Sequence, residues 1–225
     1  ITHLFFTHYH SDHMMDYARL VHAAWDEGGA QIKVFGPKPL KDITKGYFGR
    51  NGVLSHDLRA RTELTQSQQV WVARGGTLPR PWPAPEITEI EAGFTYQGDG
   101  WTLGSARATH AQPILECLGF SVEAEGKKFV YSGDTGINPD ITRLCQDADF
   151  LLHWCYRGSG EQLHPALQAF SPDPAEVAQM AQSAGVKRLY LTHFRVHMDS
   201  EDGHQKAHAD LHHHFQCDSG VVEDL

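Results

Sequence analysis

The segment Thr7-His8-Tyr9-His10-Ser11-Asp12-His13 places three histidines and an aspartate within six residues, directly after an apolar run. Side chains two residues apart on an extended segment point the same way, so His8 and His10 are placed to bind one metal ion. Asp12 and His13 follow as the chain turns toward a helix, where they can face a second ion. Imidazole and carboxylate together suit zinc, with manganese and iron as alternatives. The close spacing favours a metal site over a histidine-rich surface loop.

Size and composition indicate a globular chain. Its 225 residues fit one α/β domain, and 40% hydrophobic with 21% charged residues is typical of a folded protein with a substantial core. The formal net charge of −9 disfavours broad binding to nucleic-acid phosphates. No apolar run reaches the roughly 18 residues of a membrane helix. We therefore expect no membrane association.

The cysteines indicate a reducing environment. Cys117, Cys145, Cys155 and Cys217 form no C-x-x-C pair and have no regular spacing, so we expect reduced thiols, most of them in the core of a cytoplasmic protein. The chain opens directly on a strand that leads into the metal motif. We therefore expect further residues upstream of Ile1, and these leave export open.

The first part of the chain alternates strand and helix. The pattern predicts a strand over Ile1 to Phe6, a helix over Met14 to Asp26, a strand over Gln31 to Phe35 and a helix over Leu40 to Phe48. This alternation favours an α/β fold with parallel neighbouring strands.

The stretch from Gly49 to Pro85 interrupts that alternation. It is mostly polar and ends in a segment with four prolines between Leu78 and Pro85. We interpret it as an insertion with helical content that serves as a lid, a substrate arm or a contact within a homodimer; a solvated excursion without a function is the alternative. Trp71 and Trp82 favour a contact or pocket role, because large aromatic side chains are uncommon on bare surfaces.

Three further candidate ligands lie at predicted strand ends. His110 ends a strand within a β-rich stretch, and a lone histidine there is more often structural, but an ion held by His8 and His10 still lacks a third ligand. His193 follows another apolar strand. The ends of strands are where open α/β sheets place their sites.

Asp134 follows the strand Phe129 to Ser132 and lies between small residues. A carboxylate there can bridge two ions and neutralise part of their charge. The alternative is an aspartate that shapes a turn or caps the helix predicted to begin at Asn138-Pro139. The histidine cluster favours the bridging role.

Together these segments resemble the metallo-β-lactamase superfamily. The segments that carry the resemblance are Thr7 to His13, Ala108-Thr109-His110, Ser132-Gly133-Asp134-Thr135 and Leu191-Thr192-His193-Phe194. The resemblance implies an αβ/βα sandwich of two mixed sheets with outer helices, here without its first strands, as a single domain over residues 1–225. It also implies two Zn²⁺ ions, with His8, His10 and His110 on the first, Asp12, His13 and His193 on the second, and Asp134 as the bridge.

Within the superfamily the chain looks most like the ribonuclease Z branch, which includes tRNA 3′-end nucleases as well as arylsulfatases and phosphodiesterases. Val34-Phe35-Gly36-Pro37-Lys38 and Ala184 to Leu189 are similar to segments of that branch. Two departures stand out. The branch has His-Glu-Ala-Thr where this chain has His153-Trp154-Cys155-Tyr156, and it has a catalytic histidine where Phe170-Ser171-Pro172 stands here. The loss of both groups favours substrates with good leaving groups over tRNA.

The function that we expect is hydrolysis of a small ester, such as a phosphodiester or sulfate ester, by a hydroxide that bridges the two metals. Asp12 would bind metal and also orient the nucleophile or accept its proton. A tRNA 3′-end endoribonuclease is one alternative, and an iron-dependent oxidoreductase on the same scaffold is another. The nuclease predicts a basic RNA-binding surface, for which the candidates are Lys38, Lys41, Lys45, Arg50, Arg59 and Arg61.

Other histidines have competing interpretations. His204, His208 and His212 recur every four residues on a predicted helix from Asp202 to Phe215, where a histidine-rich surface helix is favoured over an additional metal site. His153 is interpreted as a buried structural residue rather than a replacement for the missing acid.

Overall fold

The structure is a computed structural model that describes residues 1–29, 31–196 and 198–222. The chain divides into two compact units, Ile1–Ile90 and Glu91–Leu225. The prediction of one domain with an insertion over residues 49–85 stays a prediction. Among the described residues, the helices are too short or too polar to cross a bilayer.

The first unit contains three strands and five helices among its described residues. The strands are β1 (His3–Phe5), β2 (Lys33–Gly36) and β3 (Glu86–Glu89), and the helices are α1 (Ser11–Met14), α2 (Tyr17–Asp26), α3 (Leu40–Phe48), α4 (Ser55–Glu63) and α5 (Thr65–Ala73). The strands pair in the order β1-β2-β3, all parallel. The smaller sheet is thus parallel rather than mixed.

The helix predicted over Leu40 to Phe48 is confirmed, but the one predicted from Met14 is in two pieces. His10 is extended, with ψ of 149°, and starts the short helix α1 at Ser11. α2 then begins at Tyr17. Asp12 and His13 are therefore already helical, because the metal motif turns into a helix earlier than its apolar spacing indicates. The first two strands are also offset from the predicted bounds by one or two residues.

The loop that carries the first histidines is anchored by Tyr9. Its hydroxyl donates to the Pro37 carbonyl at 2.6 Å, and burial is the main reason why the pKa of Tyr9 is raised. Tyr17 supports the same region: its ring packs edge-on against Phe6 at 5.3 Å, and its hydroxyl lies 2.8 Å from Thr44 Oγ1. Since His8 and His10 flank Tyr9, this buried contact fixes the backbone between them.

The insertion packs on α2 within the first unit. Arg80 is buried, with its guanidinium 3.9 Å from the Trp25 ring and 4.5 Å from the Trp71 ring, and it donates to Asp26 at 2.7 Å. Trp82 Nε1 donates to the Phe48 carbonyl at 2.5 Å. Helices α4 and α5 confirm the predicted helical content. The contacts of Trp71 and Trp82 are with residues of the same unit. A lid, arm or dimer role stays a prediction.

The second unit contains a seven-stranded mixed sheet. Its strands are β4 (Thr95–Gln97), β5 (Trp101–Arg107), β6 (Leu118–Ala124), β7 (Lys127–Tyr131), β8 (Phe150–Trp154), β9 (Arg188–Thr192) and β10 (Asp218–Val221), and its helices are α6 (Pro139–Leu144), α7 (Pro165–Gln168), α8 (Pro174–Ser183) and α9 (Glu201–His214). The order is β10-β9-β8-β7-β6-β5-β4, antiparallel from β4 to β7 and parallel from β7 to β10. The predicted α/β fold with two sheets and flanking helices is confirmed.

The core of this unit lies between its parallel strands and helix α8. The side chains of Leu151, Leu189 and Leu191 are fully buried, together with Val177 of α8. The start of α8 is fixed by a capping box, in which Asp173 Oδ1 accepts from Glu176 N at 2.9 Å and Glu176 Oε2 accepts from Asp173 N at 3.0 Å. This packing holds the ends of β8 and β9 in place.

All four cysteines are free thiols. Cys117, Cys145 and Cys155 are buried, as predicted for most of them, and Cys217 is exposed. Burial raises the pKa of Cys117 to about 11 and that of Cys145 to about 12. These two groups are protonated near neutral pH and serve as apolar packing rather than as nucleophiles.

Candidate metal centre

His8 and His10 lie together on the extended segment after β1. The Nε2 atom of His8 is 3.1 Å from Nδ1 of His10. His8 is fully buried, and the Thr7 hydroxyl lies 3.1 Å from its other ring nitrogen, Nδ1. A contact of this kind fixes the orientation of a metal-binding imidazole and leaves Nε2 as the ligand atom.

Asp12 and His13 join the same cluster from α1. The ring of His13 lies 4.2 Å from that of His8, centroid to centroid, and its Nε2 atom is 3.5 Å from Asp12 Oδ2. The Asp12 side chain is 60% exposed, whereas His13 is largely enclosed. The first unit thus brings all four of its predicted ligands into one cluster, with the Asp12 carboxylate on the solvent side.

The predicted ligands of the second unit also meet. His110 follows β5, Asp134 follows β7 and His193 follows β9. The Oδ2 atom of Asp134 is 3.7 Å from His110 Nε2 and 3.6 Å from His193 Nε2. The carboxylate is 5% exposed. One buried carboxylate oxygen therefore lies near an imidazole nitrogen from each of two other strand ends.

Local backbone geometry positions the side chains of His110, Asp134 and His193. Gly133 adopts a φ of 59°, which turns the chain sharply before Asp134. The Thr135 hydroxyl then accepts from Thr109 N at 2.9 Å, which ties the Asp134 loop to the His110 loop. His193 has a φ of 63°, an unfavourable value for a non-glycine residue and one that recurs at functional sites. The turn at His193 ends β9.

The donor atoms fit metal ions. Two atoms that bind the same Zn²⁺ at about 2.0–2.1 Å are about 3.3–3.4 Å apart at a tetrahedral angle. The pairs within each unit span 3.1 to 3.7 Å. The two contacts to Asp134 exceed normal hydrogen-bond lengths, as expected for ligands that share an ion. Imidazole and carboxylate donors are the set that zinc prefers.

Two contributors were not predicted as part of the site. Thr7 lies within the opening motif, but its hydroxyl contact with His8 requires a backbone path that spacing does not specify. Trp154 was noted only as a departure from the ribonuclease Z pattern. Its ring packs against both His110 and His193, with centroids 5.2 and 6.2 Å apart respectively. The sequence signal that could have identified Trp154 is its position at the end of an apolar strand.

His153 and His164, two histidines that could replace the missing acid, are both held in local hydrogen bonds. His153 is fully buried, Nδ1 donates to the Trp154 carbonyl at 2.7 Å, and burial lowers the pKa of His153 to about 4. It is therefore neutral near pH 7, which confirms the structural interpretation. His164 Nδ1 accepts from Ala166 N at 3.2 Å and caps α7.

The histidine-rich tail forms helix α9, as predicted. His208 and His212 lie nearly parallel with ring centroids 6.2 Å apart, and His204 Nε2 lies 3.0 Å from Asp199 Oδ1. The preference for a histidine-rich surface helix over an additional metal site stays a prediction.

Comparison with known proteins identifies the family. Residues 1–194 match the family described as the Beta-lactamase superfamily domain. The chain belongs to the metallo-β-lactamase superfamily. The predictions of the family, the fold and the enzyme class, a metal-dependent hydrolase, are confirmed.

Relatives within the superfamily include ribonuclease Z of Mycobacterium bovis, 26% identical over 197 residues, which cover 84% of this chain. Ribonuclease Z of a Mycobacterium species (strain KMS) is 27% identical over 201 residues, or 85% of this chain. The chain spans 65% of the length of each of these two relatives.

Several solved structures share the fold of this chain, and one of them is described as a metallo-β-lactamase fold protein. The protein YhfI of Bacillus subtilis has a TM-score of 0.68 at 16% identity, over 99% of this chain and 75% of that one. Human tRNase Z, short form, has a TM-score of 0.61 at 19% identity, over 100% and 77%. Zn²⁺-bound PqqB of Methylobacterium extorquens has a TM-score of 0.62 at 14% identity, over 100% and 71%. At these identities the likeness concerns the fold alone.

Proposed function

We propose that this protein is a dinuclear metal-dependent hydrolase of small ester substrates, namely phosphodiesters or sulfate esters. The observation that carries the proposal is the Asp134 carboxylate, whose Oδ2 atom is 3.7 Å from His110 Nε2 and 3.6 Å from His193 Nε2. Such a carboxylate is suited to bridge two ions. The proposed ligands are His8, His10 and His110 for one ion, Asp12, His13 and His193 for the other, and Asp134 for both.

The residues have distinct roles in this proposal. When bound, a pair of Zn²⁺ ions supplies Lewis acidity and lowers the pKa of a water molecule toward neutrality. The Thr7 hydroxyl holds His8 in one orientation. Asp12, on the solvent side of its cluster and 3.5 Å from His13, is placed to bind metal and to orient the attacking nucleophile or accept its proton.

The surroundings favour activated esters. A tryptophan stands at position 154, beside two of the ligands, so no carboxyl group at that position can protonate a departing oxygen. The neutral His153 does not replace it, because its Nδ1 proton is already donated to a backbone carbonyl. Ester oxygens that leave without a proton, such as phenolates, match this arrangement.

The candidate RNA-binding surface is partly neutralised. Arg59 pairs with Glu63 at 3.0 Å, and Arg61 pairs with Asp57 at 3.0 Å. Lys41 lies 4.0 Å from Glu89. These ion pairs lower the positive charge that an RNA backbone would meet, so they support a small substrate over structured RNA. The similarity to mycobacterial ribonuclease Z keeps tRNA 3′-end cleavage as the second candidate.

The test combines metal analysis with substrate comparison. We expect about two zinc ions per chain and hydrolysis of bis-p-nitrophenyl phosphate or p-nitrophenyl sulfate, with little cleavage of precursor tRNA. His8→Ala and Asp134→Ala should lose metal and turnover, whereas His56→Ala, a change at an exposed histidine of α4, should keep both. Full metal content and turnover in both ligand variants would refute the proposal. Iron with redox turnover would favour the oxidoreductase, and efficient tRNA cleavage the nuclease.

Two further properties belong to the proposal. The three buried free thiols, Cys117, Cys145 and Cys155, support a reducing compartment, the cytoplasm. The insertion exposes several apolar side chains, and these support a homodimer contact: Val53, Leu64, Val70, Val72 and Leu78. Light scattering coupled to size exclusion tests the second point, and a mass of one chain would rule the dimer out.

A further inference from the structure

Trp154 contacts two of the proposed metal ligands with one side chain. Its indole lies 5.2 Å from the His110 ring at an interplanar angle of 70°, and 6.2 Å from the His193 ring at 87°. Both are edge-to-face arrangements within the range of about 4.5–7 Å in which aromatic rings attract. Trp154 is only 2% exposed. Both imidazoles therefore pack against one buried indole.

The backbone of Trp154 is bonded to the strand ends that precede Asp134 and His193. Trp154 N donates to Ser132 Oγ at 3.0 Å, and Ser132 stands two residues before Asp134. On the other side, Trp154 pairs with Thr192 in the register of β8 and β9, immediately before His193. Movement of Trp154 would therefore disturb the strand ends that deliver Asp134 and His193.

His153 fixes the carbonyl group of Trp154. A carbonyl oxygen can only accept, so the 2.7 Å contact requires the proton on His153 Nδ1. A stacked contact with Tyr156, at 5.3 Å and 24°, supports the indole itself. Trp154 is thus held at its backbone and at its ring.

We propose that Trp154 is a positioning residue that holds the imidazoles of His110 and His193 within reach of the Asp134 carboxylate. The inference rests on the proposed dinuclear site. An imidazole that is free to rotate places its Nε2 atom near the carboxylate only part of the time, and an indole packed against both rings removes that freedom. The role lies in metal affinity rather than in proton transfer, because an indole carries no group that titrates near neutral pH.

The first test measures Zn²⁺ affinity by competition with a chromogenic chelator, starting from protein stripped of metal. Residues that orient metal ligands typically contribute about 10–100-fold to affinity. We expect a loss of that size in Trp154→Ala and a small fraction of it in Trp154→Phe, which keeps an aromatic wall. Trp101→Phe is the matched control, since Trp101 packs on Tyr96 at 5.4 Å in the same unit and should leave affinity unchanged.

A second readout does not require the alanine variant to fold. Zn²⁺ added to the metal-free wild type should change tryptophan emission, and the change should persist in Trp101→Phe and be lost in Trp154→Phe. Unchanged affinity in a folded Trp154→Ala, or the full emission change in Trp154→Phe, overturns the proposal. Wild-type protein that binds no Zn²⁺, Mn²⁺ or iron would instead refute the proposed function itself.

Discussion

The buried imidazole of His153 makes stability depend on pH in a way that can be worked out. Burial lowers the pKa of His153 from its ordinary value of 6.5 to about 4 in the folded protein. Below pH 6.5 the unfolded chain therefore binds a proton that the folded chain excludes, and the free energy of unfolding falls as pH falls. For these two pKa values, acidification from about pH 7.5 to about pH 5 lowers the free energy of unfolding by roughly 2 kcal/mol.

The assay is urea denaturation of metal-free protein, with chelator present, at the two pH values. The variant is His153→Asn, whose side-chain amide can still donate to the Trp154 carbonyl but does not titrate. We expect the pH-dependent loss of unfolding free energy to be smaller in this variant by about 2 kcal/mol. His56→Ala, at an exposed histidine, is the control and should keep the full loss. Identical losses in wild type and His153→Asn would refute the assignment of a neutral, buried His153.

Three further outcomes are expected. Tyr9→Phe leaves the Pro37 carbonyl without its 2.6 Å donor and should lower the free energy of unfolding by about 1–3 kcal/mol, measured by urea denaturation. It should also weaken Zn²⁺ binding, measured by chelator competition, and Tyr47→Phe is the control for both assays. Asp173→Ala removes the cap of α8 and a carboxylate 3.1 Å from the buried Arg157, so it should cost more than the about 1 kcal/mol of a cap in the same denaturation assay; no change would contradict these contacts. Chelator should lower the melting temperature of wild type in calorimetry and leave that of Asp134→Ala nearly unchanged; equal shifts would contradict a role for Asp134 in metal binding.

Some elements were predictable because local spacing determines them. The helix from Leu40 to Phe48 follows from local pattern alone. The capping box of Asp173 and Glu176 is likewise set by residues three apart in sequence. The break between α1 and α2 was missed, because apolar spacing continues through it while the backbone starts a new helix at Tyr17.

The candidate ligands were predictable for a different reason. Histidine or aspartate directly after an apolar strand is a local signal, even when the partners are far apart in sequence. The contacts of Trp154 with His110 and His193 depend instead on the order of strands in the sheet, and so does the Tyr9 contact with Pro37. Strand order and side-chain direction are not encoded in a single segment, so these supporting residues emerged only from the fold.

The two units contribute the proposed ligands in unlike ways, and this would affect how a bound metal stabilises the protein. The first unit supplies His8, His10, Asp12 and His13 from six consecutive residues, and donors so close in sequence can bind a metal ion even in an unfolded chain. The second unit supplies His110, Asp134 and His193 from three strand ends, which come together only in the folded sheet. Metal that also binds the unfolded state stabilises the fold less than its affinity implies. Under the proposed ligand set, the increase in unfolding free energy on Zn²⁺ binding therefore comes mainly from His110, Asp134 and His193. Folding is what brings the two imidazoles close to the Asp134 carboxylate.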